Sequence, residues 1–365
     1  MARLRIPLLA MLLAMALAPA AAADVLVGVA GPGHGSHAAA GSEMLRAARQ
    51  AADRINAQGG VLGERIRIVE ADDGCAEREA EQAARALVAQ GVTLIVGHPC
   101  ASAAIAAARV YAQAGVVFIA PATRHPALTE QRAGPAIFRL AGRDDRQGAS
   151  AGAYLARAFA DKRLAVIDDG TRYAKELAAG ALAALKKAGR ADVLTETIAS
   201  GQKDYAKLIA RLSAAQTQAL FFAGFPIEGG LLLRQMRAAH LATVFIGSDA
   251  LATAQFSETA GEGAEGAGVL LPHDAARTLS KEALREAFPR EAPTGSFVAA
   301  YASVEAWRAA AQQAQSLKSE AVSAALQQGS FATILGPVSF EANGDADVPS
   351  YDAVWWEDGA WRARH

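Results

Sequence analysis

Residues 92–125 read "VTLIVGHPCASAAIAAARVYAQAGVVFIAPATRH" and hold one complete structural unit. The runs "VTLIVG" (92–97) and "VVFIAPA" (116–122) are short, apolar and rich in β-branched residues, as buried strands are. Between them, residues 101–114 are alanine-rich and long enough for a helix. Strand, helix, strand in this order is a βαβ unit, and βαβ units build parallel sheets. The same alternation fills most of the chain. Further strands are predicted in "DVLVGVAG" (24–31), "RIRIVEAD" (65–72), "LAVIDDG" (164–170), "DVLTETIA" (192–199), "ALFFAG" (219–224) and "TVFIGSD" (243–249). Amphipathic stretches such as 42–58, 77–91, 171–189 and 226–241 lie between them. Right-handed crossovers then cover both faces of each sheet with helices.

The alternation breaks near 138–150 and again near 266–276. Mainly helical sequence follows (281–288, 296–315, 319–329). The chain ends in "ILGPVSFEANGD" (334–345) and "YDAVWWEDGAWRA" (351–363), which read as antiparallel strands joined by a turn. The expectation is an α/β protein of two doubly wound, mostly parallel lobes, with the late helices packing back on the first. A length of 365 residues also exceeds what one core usually serves.

The start, "MARLRIPLLAMLLAMALAPAAAADVLVG", has the form of a secretory leader. Arg3 and Arg5 are followed by an apolar run and by an A-x-A signal at Ala21–Ala23, so cleavage is expected after residue 23. The run is shorter than the ~20 residues a membrane span needs. No cysteine at the junction offers a lipid anchor. Loss of the two arginines takes the formal charge from −1 to about −3, spread along the chain. Such a balance leaves no footprint for nucleic acid or an anionic membrane.

Two cysteines in an exported chain suit one disulfide, and Cys75 to Cys100 would contribute roughly 3 kcal/mol through loop closure. The alternatives are a zinc site, for which only His98 is near, and a nucleophilic thiol. "GPGHGSHAAAG" (31–41) follows a strand as phosphate-binding loops do. Its spacing matches neither G-x-G-x-x-G nor a lysine-bearing phosphate loop. His34 and His37 within it could reach a metal, although a solvated loop is the simpler reading.

Open parallel sheets bind ligands outside the carboxyl ends of their strands. Those ends carry 31–37, 97–102 and 121–125 in the first lobe, and 168–173, 223–228 and 247–250 in the second. A ligand touching both sets lies in a cleft between lobes. The helix starting at residue 101 offers free N–H groups to an anion. Ser102 adds a hydroxyl and Arg124 a fixed positive charge suited to a carboxylate. Asp249 offers a negative charge to an amine, and Tyr173 and Phe225 supply apolar walls. The set suits a zwitterion such as an amino acid. A duller role is open to each: N-cap for Ser102, a surface ion pair for Arg124, a helix cap near Thr253 for Asp249, lobe core for Tyr173 and Phe225. Asp168 and Asp169 read as turn residues rather than catalysts. No G-x-S-x-G, H-E-x-x-H or phosphate loop points to an enzyme.

Almost end to end, the chain resembles the periplasmic leucine/isoleucine/valine-binding proteins of ABC transporters. The likeness rests on "VGVAGP", "ADRINAQGGVLGERIRIVEADDGC", "GHPCAS", "FIAPATRHPALT", "GRDDRQG", "GQKDYAKLIARL", "GGLLLRQMRAAHL", "GSDALA" and "GPVSFEANGD". It implies a type I periplasmic binding protein, its lobes joined by a three-crossing hinge and stapled by Cys75–Cys100. Ligand capture would follow from hinge closure, without catalysis, metal or cofactor. The lobes would comprise 24–141 with 272–336, and 142–271 with 337–365. The ligand set carried over is Ala101, Ser102, Ala122, Thr123, Arg124, Tyr173, Phe225 and Asp249. Two positions depart from the pattern: Ala101 stands where relatives place a carboxylate-binding serine, and Arg124 where they place a threonine. Losing one hydrogen bond to a carboxylate costs ~1.5–3 kcal/mol. The resemblance implies an inner-membrane ABC permease as partner and a monomer in the periplasm. A sensing protein that docks on a membrane receptor is the other reading.

Overall fold

The computed structural model describes residues 24–364. The proposed leader, 1–23, lies outside the described residues. The first sheet contains five parallel strands: β1 Val25–Gly31, β2 Ile66–Asp72, β3 Leu94–Gly97, β4 Val117–Ala120 and β5 Ile137–Arg139. Their spatial order is β2-β1-β3-β4-β5, so the winding reverses at β1 and β3. β3 and β4 are buried along their whole length, and two separate cores flank this sheet. One face packs on helices Glu77–Ala89 and Ala101–Ala114, the other on Ala38–Ala57 and Gly295–Ala314. The late helices therefore pack in the core of the first sheet.

The second sheet holds β6 Leu164–Asp168, β7 Leu194–Thr197, β8 Ala219–Ala223, β9 Val244–Gly247 and β10 Gly268–Pro272. A small hairpin of β11 Ser330–Thr333 and β12 Gly336–Ser339 stands apart, and β13 Tyr351–Glu357 and β14 Ala360–Ala363 close the chain. The order is β14-β13-β10-β9-β8-β6-β7, with β13 antiparallel to both β10 and β14. Two cores again lie on its two faces.

Three expectations need correction. The stretches 334–345 and 351–363 do not pair with each other: β12 pairs with β11, and β13 with β10 and β14. The break near 266–276 contains β10, a short strand. The lobe boundary placed after residue 336 falls inside the β11–β12 hairpin. Phe331, Val338, Phe340 and Ala346 all pack in one core with the first-lobe helices, and the chain rejoins the second sheet only at Tyr351. Periodicity shows where a strand is but not which core its apolar face meets.

Where the chain leaves the first lobe it is clamped. Arg139, the last residue of β5, is fully buried, and its Nε donates to Asp345 Oδ1 at 2.9 Å. The crossings are then tied at Ser350. Its hydroxyl accepts from the Arg143 N–H (3.1 Å) and its carbonyl from the His273 N–H (3.0 Å). Gly142 lies so close to this residue that a Cβ would overlap the Ser350 backbone.

Candidate functional site

β3 ends at Gly97, and His98, Pro99 and Cys100 turn the chain into helix Ala101–Ala114. His98 has φ of 52°, a left-handed conformation uncommon for a side-chain-bearing residue. A buried network holds it there. Its Nδ1 lies 2.8 Å from the Asp73 carboxylate and its Nε2 2.8 Å from the Tyr111 hydroxyl. Burial, and then the Asp73 charge, push the Tyr111 hydroxyl far above the usual phenol range. Cys100 is bonded to Cys75, with Cα atoms 5.5 Å apart. The zinc and thiol readings lose their ligands, because the two sulfurs are bonded to each other and both His98 nitrogens are engaged. His37 approaches the sulfurs, while His34 pairs with the exposed Asp72 at 2.8 Å.

The helix that follows opens with Ala101 and Ser102. Cys100 is its N-cap residue and no side chain caps it, so Ser102 is the second helical residue rather than the cap. Its exposed hydroxyl forms no hydrogen bond among the described residues. Thr123 is turned inward: it is buried, and its hydroxyl donates to the His98 carbonyl at 2.7 Å, fixing the β4 loop to the β3 loop. Arg124 does not form a surface ion pair. Its Nη2 donates to the carbonyls of Ser350 (2.9 Å) and Arg143 (3.4 Å), and its guanidinium lies 5.2 Å from the Tyr351 ring centre. A cavity of about 310 Å³ beside the crossings is lined by Ala122, Arg124, Leu140, Leu271, His273 and Val348, among others.

On the second lobe the expected residues meet. Tyr173 is the second residue of helix Arg172–Lys187, Phe225 precedes helix Pro226–Ala238, and Asp249 opens the short turn after β9. The Tyr173 and Phe225 rings are 5.5 Å apart, and the Tyr173 hydroxyl donates to Asp249 Oδ1 at 3.0 Å. Burial, and then the Asp249 charge, raise the Tyr173 hydroxyl well above the phenol range. Phe225 is 43% exposed, which removes it from the lobe core. Asp249 does not cap the helix at Thr253. Asp168 and Asp169 are turn residues. They accept the N–H groups of Gly170 and Thr171, and Asp169 also accepts the N–H of Phe225 at 3.1 Å, which sets the position of that ring.

Sequence reasoning missed two residues, Gln147 and Tyr351. Gln147 lies in the break at 138–150, and its amide stands 3.3 Å from the Tyr173 hydroxyl. Tyr351 carries only a strand signal in the sequence. Its hydroxyl donates to the Asp144 carbonyl, and its acidity responds to burial, then to Asp249 and Arg124. Tyr351 thus lies between the Arg124 side and the Asp249 side. Among the described residues, no hydrogen bond or ring contact joins Ala101 or Ser102 to the Tyr173–Phe225–Asp249 cluster. Chemically, one wall offers helix N–H groups for an anion. The other offers a carboxylate, flanked by two rings, for a cation.

Comparison with known proteins gives a consistent answer. The periplasmic binding protein family pattern matches residues 24–360. An amino acid binding protein of Pseudomonas aeruginosa is 36% identical over 349 residues, spanning 94% of this chain and 93% of its own. Leu/Ile/Val-binding protein homolog 1 of Brucella abortus is 34% identical over 341 residues, spanning 93% and 92%. A crystal structure from Rhodospirillum rubrum shares the fold, with a TM-score of 0.74 at 23% identity over 93% of this chain and 100% of its own. Among the described residues, no helix is long and apolar enough to cross a membrane. The chain belongs to the periplasmic binding protein family, as a solute-binding protein of the type I two-lobed fold and not an enzyme.

Proposed function

We propose that this protein captures an amino acid, or a closely related small carboxylate, between its lobes and delivers it to an inner-membrane ABC permease. The carrying observation is the Tyr173–Asp249 hydrogen bond beside Phe225, an oriented carboxylate in an aromatic corner. Asp249 takes the ligand ammonium, with the Ala122 carbonyl assisting from the first lobe. The carboxylate goes to the backbone N–H groups at Ala101 and Ser102, with Arg124 supplying positive charge. Relatives named for amino acids and for leucine, isoleucine and valine support the ligand class. In this reading residues 1–23 are a leader removed on export to the periplasm. The first lobe comprises 24–141 with the returning chain from 272 to 348, the second 142–271 with the chain from 349 onward, and the protein acts as a monomer.

Isothermal titration of the mature protein with leucine, isoleucine and valine tests the proposal, and micromolar or tighter binding of at least one is expected. Absence of heat with all three, together with no thermal stabilisation by other amino acids, would refute it; a bound ligand stabilises by RT ln(1 + [L]/Kd). Arg124→Ala is expected to weaken carboxylate ligands by about tenfold or more, because a charge-assisted hydrogen bond contributes ~1.5–3 kcal/mol. An unchanged Kd would remove Arg124 from the site.

A further inference from the structure

Tyr173 has one hydroxyl proton and two neighbours competing for it. Asp249 Oδ1 stands at 3.0 Å and the Gln147 side-chain oxygen at 3.3 Å. The carboxylate is the stronger acceptor, since hydrogen bonds to charged groups exceed neutral ones. Gln147 is 96% buried, given its 4% exposure, and its Nε2 has no hydrogen-bond partner in this arrangement. A buried amide N–H without a partner is costly. Turning the amide over about its last bond ends the competition for the Tyr173 proton and gives Nε2 an acceptor, because the two orientations occupy nearly the same volume and the carbonyl oxygen, less costly to leave unpaired than an N–H, takes the unpartnered place. Nε2 then donates to the Tyr173 oxygen, which passes its own proton toward Asp249. The result is a one-way chain running from the Gln147 amide through the Tyr173 hydroxyl to the Asp249 carboxylate. Asp249 Oδ2 accepts no hydrogen bond among the described residues and is left for a ligand.

The place of Gln147 in the chain gives this arrangement a purpose. It is the first residue of helix Gln147–Ala158, directly after the crossing that leads from β5 into the second lobe. Tyr351, the first residue of β13 just past another crossing, donates to the carbonyl of Asp144 in the turn before Gln147. The hinge end of the second lobe is therefore wired to the ligand-binding acid.

We infer that Gln147 is a positioning residue for ligand binding, acting through Tyr173 to orient the Asp249 carboxylate without touching the ligand. This rests on the amino-acid reading above. Two measurements on the purified protein test it. In the ligand-free protein, a urea-unfolding double-mutant cycle of Gln147→Met and Tyr173→Phe should show coupling, the second substitution costing less once the first is made. By titration with whichever of leucine, isoleucine and valine binds, Gln147→Met should raise Kd about tenfold, and should change it little in a Tyr173→Phe background. Additive stabilities would overturn the inference. So would an unchanged Kd in a folded Gln147→Met protein, or an equal loss in both backgrounds. If wild-type protein binds none of the three and no other amino acid stabilises it, the functional reading fails, while the cycle still reports on the hydrogen-bond chain.

Discussion

The two walls of the cleft are built on different principles. On the second lobe, the candidate site is made of side chains that touch one another: Tyr173 on Asp249, and Phe225 beside Tyr173. On the first lobe, the polar side chains of Thr123 and His98 face inward, while the Ser102 hydroxyl is exposed. Thr123 holds the His98 carbonyl, and His98 is held by Asp73 and Tyr111. What that wall presents outward is backbone, the open end of helix Ala101–Ala114, on a loop stapled by a disulfide. A backbone site tolerates the Ala101 departure because an N–H is the same whatever side chain follows it. The lesson is that the stability of one wall and the affinity of the other can be altered separately.

Asp249→Asn is the strongest way to break this contrast. Removing one partner of a desolvated charge pair costs about 2–5 kcal/mol, so affinity for amine-bearing ligands should fall at least about 30-fold. The urea midpoint should stay where it is. A matching loss of stability would show that the carboxylate is part of the scaffold.

The paired Cys75→Ser and Cys100→Ser substitution should do the opposite. A 25-residue separation corresponds to ~3 kcal/mol of loop-closure entropy, read as a lower unfolding free energy in urea. The Kd of the folded fraction should be unchanged. If affinity collapses while stability holds, the loop is shaped by the bond itself and not by the His98 network. Ser102→Ala sharpens the comparison with the smallest effect. If the first wall works through backbone N–H groups, Kd should move less than about threefold, since an exposed hydroxyl contributes little net. A tenfold loss by titration would return a side-chain role to that wall.

Much of this could be read from residues alone. The fold was legible because buried parallel strands and amphipathic helices differ in period, and that signal is local. The Tyr173, Phe225 and Asp249 positions were legible because they follow strand ends of a parallel sheet. Gln147 was not, since a buried glutamine has no sequence mark of its own and its partner, Tyr173, lies 26 positions away. Arg124 was legible as a cation, but not as one bound to the carbonyls of two crossings. β10 was hidden because a five-residue apolar strand with glycines before it looks like a break.

By itself, then, the amino-acid order determined the alternation of strands and helices, the cysteine pairing and the chemical types gathered at the strand ends. Those follow from periodicity, composition and short-range chain geometry. Only the tertiary structure decided which polar side chains face the cleft and which are spent inside. It also decided which core receives residues 330–348 and which hydroxyl holds the Asp249 carboxylate. These outcomes depend on neighbours brought together from distant parts of the chain, where one proton or one apolar face can satisfy only one of several competing partners.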